Sequence, residues 1–165
     1  MPIPGETYKQ IGRASAGAVS VVAAYDQVSN AIVALTASSF VTVSFEPPLA
    51  MFAIQHNAAS YRSIVSSKAF GVSLLSKGQA HVASLFATKG LGKTTSTTFD
   101  EGAKLHVPLI PDSLAQIECL TNQIFISGDH AIVVGMVEDA RTHDVEPLLY
   151  FRQKYGSFTS LPTGV

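Results

Sequence analysis

Cysteine is almost missing from this 165-residue chain, with Cys119 the only one. No intramolecular disulfide can form, and nothing in the cysteine usage points to an oxidising compartment. Charge is scarce too. Asp, Glu, Lys and Arg make up 14% of the residues, and the net charge is −1. That leaves no basic footprint for nucleic acid or for an anionic membrane surface. No apolar run approaches the roughly 20 residues of a membrane-spanning helix. The opening Met-Pro-Ile-Pro-Gly-Glu holds no long apolar segment of the secretory kind. A cytoplasmic protein is the expectation. What the chain does have is apolar residues, at 47%. A chain of this length is expected to form one domain, residues 1–165. It can bury roughly two-thirds of its unfolded surface without a metal or disulfide staple. Many apolar residues with few charges suggest that surface is hidden in a subunit interface as well as in a core.

Several signatures of chemistry are missing as well. There is no G-x-G-x-x-G to signal a Rossmann dinucleotide site and no G-x-S-x-G hydrolase elbow. The five histidines, His56, His81, His106, His130 and His143, stand at no usual metal-ligand spacing. Residues 87–94, Ala-Thr-Lys-Gly-Leu-Gly-Lys-Thr, fit a relaxed phosphate-loop pattern. A true phosphate loop follows a strand and opens a helix. Here a predicted helix precedes it and a β-branched run follows, so a flexible polar loop is expected. Cys119 falls in a predicted strand, where a small core residue is expected rather than a nucleophile.

The pattern along the chain is mainly β. Residues 6–14 predict a short helix. Strands are predicted over 18–25 and 31–35, joined by turn residues 26–30, and over 41–45, where period-two alternation predicts a half-buried strand. Pro47 and Pro48 must interrupt the ladder. Residues 49–55 predict a buried strand. A helix capped by Asn57 or Ser60 is predicted to run to about residue 68. A strand follows over 70–75 and a helix over 79–88. Residues 90–102 read as a polar loop. Two long strands, 115–127 and 131–141, flank the hairpin signal Gly128-Asp129, and 147–151 reads as a last strand. Short turns between strands favour an antiparallel barrel with a few short helices over a parallel βαβ sheet.

Four stretches carry a resemblance. The first is Ala34-Leu-Thr-Ala-Ser-Ser-Phe40, followed by Val41-Thr-Val-Ser44 and Glu46-Pro-Pro-Leu49. The second is Gln55-His-Asn-Ala-Ala-Ser60. The third is Phe70-Gly-Val-Ser-Leu-Leu75, with Gln79 and Phe86-Ala87 beyond it. The fourth is Gly128-Asp-His130, then Gly135-Met-Val137 and Pro147-Leu-Leu-Tyr-Phe-Arg-Gln-Lys-Tyr155. In this order and spacing, over residues 8–156, they resemble the short-chain flavin reductase family. Its members include the reductase components of two-component flavin-dependent monooxygenases. The family often has Asn where Ser38 stands, Gly where Ala34 stands, and a glycine near Gln153-Lys154.

The resemblance implies an FMN-binding split β-barrel and an NAD(P)H:flavin oxidoreductase. It implies FMN or FAD with NADH or NADPH as co-substrate, a homodimer, and a separate oxygenase that receives reduced flavin. Thr36, Ala37, Ser38 and Ser39 are then expected to line the flavin ring, and Ser44 to reach the ribityl or phosphate. Gln55, Asn57, Ser60 and Lys89 are expected around the phosphate end, and Phe86 and Ala87 among the other cofactor-binding residues. His130 is the candidate catalytic residue, expected near the nicotinamide or the flavin edge to hydrogen-bond the nicotinamide amide or help deliver a proton, and oriented by Asp129 or simply set beside it in a turn. Arg152 and Tyr155 match a C-terminal segment that closes over the site in relatives. Hydride transfer needs positioning more than an acid–base pair, so the missing nucleophile and metal site count little against this reading. Two alternatives stay open: a flavoprotein that keeps its flavin to reduce another acceptor, and a flavin carrier or interaction barrel without turnover.

Overall fold

Where apolar residues alternate along this chain, strands form, and where they do not, short helices and turns connect them. The computed structural model describes residues 2–88 and 94–161. It opens with α1 (Gly5–Ala14), β1 (Gly17–Ala18), β2 (Ser20–Tyr25) and β3 (Ile32–Ala37). Next come β4 (Val41–Phe45), β5 (Pro48–Gln55), α2 (Tyr61–Ser66) and β6 (Ala69–Leu74). A 3₁₀ turn (Lys77–Gln79) leads into α3 (Ala80–Ala87), followed by the two-residue strands β7 (Asp100–Glu101) and β8 (Pro108–Leu109). The chain ends in β9 (Ala115–Ser127), β10 (His130–Thr142), β11 (Leu149–Phe151) and β12 (Lys154–Gly156).

Seven strands form one antiparallel sheet in the order β3-β2-β6-β9-β10-β5-β4. Its two edges, β3 and β4, are consecutive in the chain and joined only by residues 38–40. The sheet must therefore curl until its edges approach, which makes a barrel that is open along one seam. Ser39 holds that seam. Its Oγ accepts from the Ala53 amide at 2.9 Å and donates to the Ala53 carbonyl at 3.2 Å, so the β3–β4 link is fixed to β5.

Inward-facing Val22, Phe52, Ile54, Phe70, Val72, Cys119 and Val133 fill the barrel, with Ile64 of α2 plugging one end. Phe52 and Phe70 meet edge to face at 5.3 Å. Each such buried side chain contributes about 1.5–3 kcal/mol. Gly135 sits in β10 because a Cβ there would stand 2.6 Å from the Phe70 ring. A second cluster lies outside the barrel wall: Val19, Val21, Leu75, Phe86, Ile110 and Leu148, covered by α3 and the C-terminal hairpin. β2 is thus buried on both faces. That is why its sequence reads as a continuous apolar run rather than an alternation.

Some expectations need adjustment. The half-buried strand predicted over 41–45 is instead open to solvent: Val43 is 53% and Phe45 92% exposed. A bulge between Thr42 and Ser44 breaks the alternation, so Val41 and Phe45 fall on opposite faces of β4, and both are exposed. The second helix stops at Ser66, because Ser67 turns extended and its hydroxyl donates to the Ala69 carbonyl. The hairpin partner β12 was not anticipated. It forms through Arg152 and Gln153, both in the left-handed region at φ 47° and 64°. Helix α1 is where residues 6–14 predicted it, and it buries none of its residues.

Candidate functional site

The seam opens into a cleft of about 580 Å³. One wall is β3. As a sheet edge it pairs only with β2 among the described residues, so one row of its main-chain donors and acceptors has no strand partner there. Ala34 and Leu35 of β3, Ile54 of β5 and Phe86 of α3 supply apolar surface. Ser38, Gln55, Asn57, Ser60, Thr94 and His130 add polar groups at the margins. A flat, largely apolar ring with hydrogen-bonding edges needs this combination of slot and edge donors. The residues present therefore fit a flavin.

Hydrogen bonds divide the hydroxyls of the 36–39 segment by task. Thr36 Oγ1 donates to the Ala83 carbonyl at 2.7 Å and ties β3 to α3. Ser39 is engaged in the seam. Ser38, the exposed residue between strand and seam, is left to meet a ligand. On the opposite side, Asp26 fixes the helix that bears Ser60. Its carboxylate accepts from the Ser63 hydroxyl at 2.6 Å and from the Val28 and Ser29 amides. The Ser63 bond and the turn bonds hold the Asp26 carboxyl well below the usual carboxylate range. Ser60 occupies the N-cap position of α2, yet its side chain makes no capping bond. Its hydroxyl remains for the cleft.

His130 lines the cleft beside Gln55, its register partner on β5. Its Nδ1 lies 2.7 Å from Asp129 Oδ1. An Nδ1–H donating to that carboxylate leaves Nε2 as the free ring nitrogen. The same hydrogen bond lowers the Asp129 pKa. The Asp129 carbonyl also accepts from the His56 amide at 3.0 Å, which anchors the turn to the end of β5. Cys119 lies inside the barrel, where burial pushes its thiol up to about 12. Such a thiol is not a nucleophile at neutral pH. Among the described residues no group of His, Cys, Asp and Glu is arranged to hold a metal ion.

The cleft therefore brings together Thr36, Ala37, Ser38, Ser39, Gln55, Asn57, Ser60, Phe86, Ala87 and His130. Three expected residues are placed elsewhere. Ser44 sits beyond a bulge in β4 opposite Leu49, which turns it to the outer face of the sheet. Arg152 and Tyr155 line a second cavity at the C-terminal hairpin. Lys89 lies outside the described residues. The sequence reading passed over Ile54, Ala58 and Thr88, which also line the cleft. Ile54 was visible only as an apolar residue in a buried strand, and no chemical signal marked it.

Comparison with known proteins agrees with this geometry. The flavin reductase like domain family matches residues 12–159. The chain belongs to that family. A Thermus thermophilus 4-hydroxyphenylacetate 3-monooxygenase reductase component is 32% identical over 151 residues, covering 91% of this chain and 94% of its own. An NADH:riboflavin 5'-phosphate oxidoreductase of Streptomyces pristinaespiralis is 33% identical, covering 78% of this chain and 73% of its own. Among solved structures, the flavin reductase component of a bacterial two-component tryptophan halogenase superposes with a TM-score of 0.85 at 29% identity, covering 96% of this chain and all of the other. An NADH:FAD oxidoreductase of Streptomyces globisporus, solved with NAD and FAD fragments, gives 0.86 at 25% identity, covering 100% and 99%. Family membership accounts for the split barrel and for a cleft at its seam.

Proposed function

We propose that this flavin reductase family member is an NAD(P)H:flavin oxidoreductase that reduces FMN or FAD and passes the reduced flavin to a separate monooxygenase. The observation that carries this reading is the seam cleft, an apolar slot walled by the sheet-edge strand β3 and lined by His130. When bound, nicotinamide and isoalloxazine supply the hydride chemistry themselves. The chain's own work is placement. The β3 edge and Ser38 hold the ring's polar margin. Phe86, Leu35 and Ile54 exclude water from its faces. Asn57 and Ser60 receive the phosphate end with neutral donors. His130, held by Asp129, presents Nε2 to the nicotinamide carboxamide and fixes its approach. Holding the reacting groups in contact is where most of the rate gain in such a reaction originates.

The unit is the whole chain, residues 1–165, acting as a homodimer in the cytoplasm, where its pyridine nucleotide is supplied. No helix among the described residues is long and apolar enough to cross a membrane. Support for the dimer comes from the outer face of the sheet. Val41, Met51 and Val134 lie side by side across β4, β5 and β10, and Leu49, Met136 and Leu120 form the next row. A continuous apolar face of this kind marks an association surface. The test of the activity is nicotinamide oxidation in air, with and without added FMN or FAD. Oxidation that depends on added flavin is expected. Flavin-independent oxidation would indicate a retained flavin, and no oxidation with either nucleotide would remove the reductase reading.

A further inference from the structure

The second cavity has the makings of a binding site that the proposed hydride chemistry leaves unexplained. It has a volume of about 530 Å³ and lies between Ala16, just before β1, and the β11–β12 hairpin. That volume is in the range of sites for drug-sized ligands, about 300–1,000 Å³. Arg152 and Lys154 are its only charged lining residues. Neither is in an ion pair among the described residues. The Arg152 guanidinium rests over the Phe151 ring at 5.1 Å, held open to solvent instead of closing on an acid. Tyr155 adds a second aromatic ring, braced at 5.3 Å by Tyr150. At the margin, the Ser157 hydroxyl is buried and has no hydrogen-bond partner among the described residues. A buried hydroxyl without a partner has given up its water for nothing, so one in a cavity wall invites a ligand oxygen.

Two unpaired cations, two aromatic rings and an unanswered hydroxyl describe a receptor for a phosphorylated planar group. We infer that this hairpin cavity binds the adenosine diphosphate moiety of a dinucleotide substrate. Arg152 and Lys154 meet the phosphates, Phe151 and Tyr155 meet the ring, and Ser157 donates to a phosphate or ribose oxygen. The inference rests on the proposed reductase activity, because NAD(P)H and FAD both carry this moiety and FMN does not. The position suits it. Tyr155 packs on the apolar cluster that contains Phe86, and Phe86 lines the seam cleft, so the two cavities flank one cluster.

The first test is calorimetry with ADP-ribose, which lacks both redox rings and needs no turnover. Wild type is expected to bind it. Arg152→Gln/Lys154→Gln is expected to weaken binding at least 10-fold, and Ser157→Ala to weaken it by a smaller factor. Both cations are exposed, so the double variant is expected to fold, which circular dichroism would verify. Steady-state kinetics then assign the source. A raised KM for FAD but not for FMN makes FAD the occupant. A raised KM for NADH with FMN as acceptor makes NADH the occupant. Absence of ADP-ribose binding, or binding that the double variant does not change, would overturn the inference. Either result is readable even if the chain oxidises no nicotinamide at all, so failure of the site and failure of the reductase reading remain separate.

Discussion

Ser38 and Ser39 are neighbours of the same residue type with opposite duties. Ser39 binds the Ala53 amide and carbonyl and closes the seam, whereas Ser38 faces solvent at the cleft. Ser39→Ala leaves the partly buried Ala53 amide unanswered and is expected to cost about 1–3 kcal/mol. Thermal unfolding would read this as a loss of about 2–4 °C per kcal/mol for a chain of this size. A melting temperature equal to wild type would mean that the seam does not depend on this staple. The serine-rich stretch announced itself in the sequence as a flavin-lining segment, but its division of labour was not legible there. A hydroxyl's partner is set by which backbone atoms lie across the seam, and those belong to a strand 14 residues away. Ser44 illustrates the same limit, because one bulge in β4 moved it to the outer face.

Strands and helices were easier to read than their ends and connections. The long β9–β10 hairpin was legible because alternation persists and Gly128 takes φ +60° at the turn. The β11–β12 hairpin was not, because Arg152 and Gln153 lack the chemistry that such a turn prefers. A non-glycine residue in left-handed conformation costs about 1–2 kcal/mol. Gln153→Gly is therefore expected to raise stability by about 1 kcal/mol in a thermal melt, and a decrease would show that the side chain has a stabilising contact. At the barrel's end, Asp26 clamps α2 through Ser63. Its folded-state pKa is lowered, so its contribution is present above the unfolded carboxylate value of about 4. It is lost as pH falls through the lower folded value. The stability difference between wild type and Ser63→Ala is expected to be greatest near neutrality and to shrink in acid below that value. A difference that stays constant with pH would separate the hydroxyl from the carboxylate's titration.

For the molecule as a whole, low charge and high apolar content were early signs of surface that one chain does not bury. The outer face of β4 and its neighbours is where that excess resides: Val41 is 45% and Phe125 52% exposed there. If this face joins two copies, Val41→Lys/Phe125→Lys will shift the mass in light scattering from dimer to monomer. A wild-type monomer, or a double variant that stays dimeric, would place the association elsewhere or remove it. The family was legible from the ordered motifs, since the match spans residues 12–159. The hairpin cavity was not, because it is created by β1, β11 and β12 meeting across the length of the chain. The central claim concerns the seam cleft, and one measurement addresses it without oxygen or a partner enzyme. The protein is mixed anaerobically with FMN and NADH in a stopped-flow cell, and the flavin's visible absorbance is followed. The account predicts bleaching far faster than in the protein-free mixture, slowed in His130→Ala. Bleaching no faster than without protein, using either flavin and either nucleotide, would contradict it.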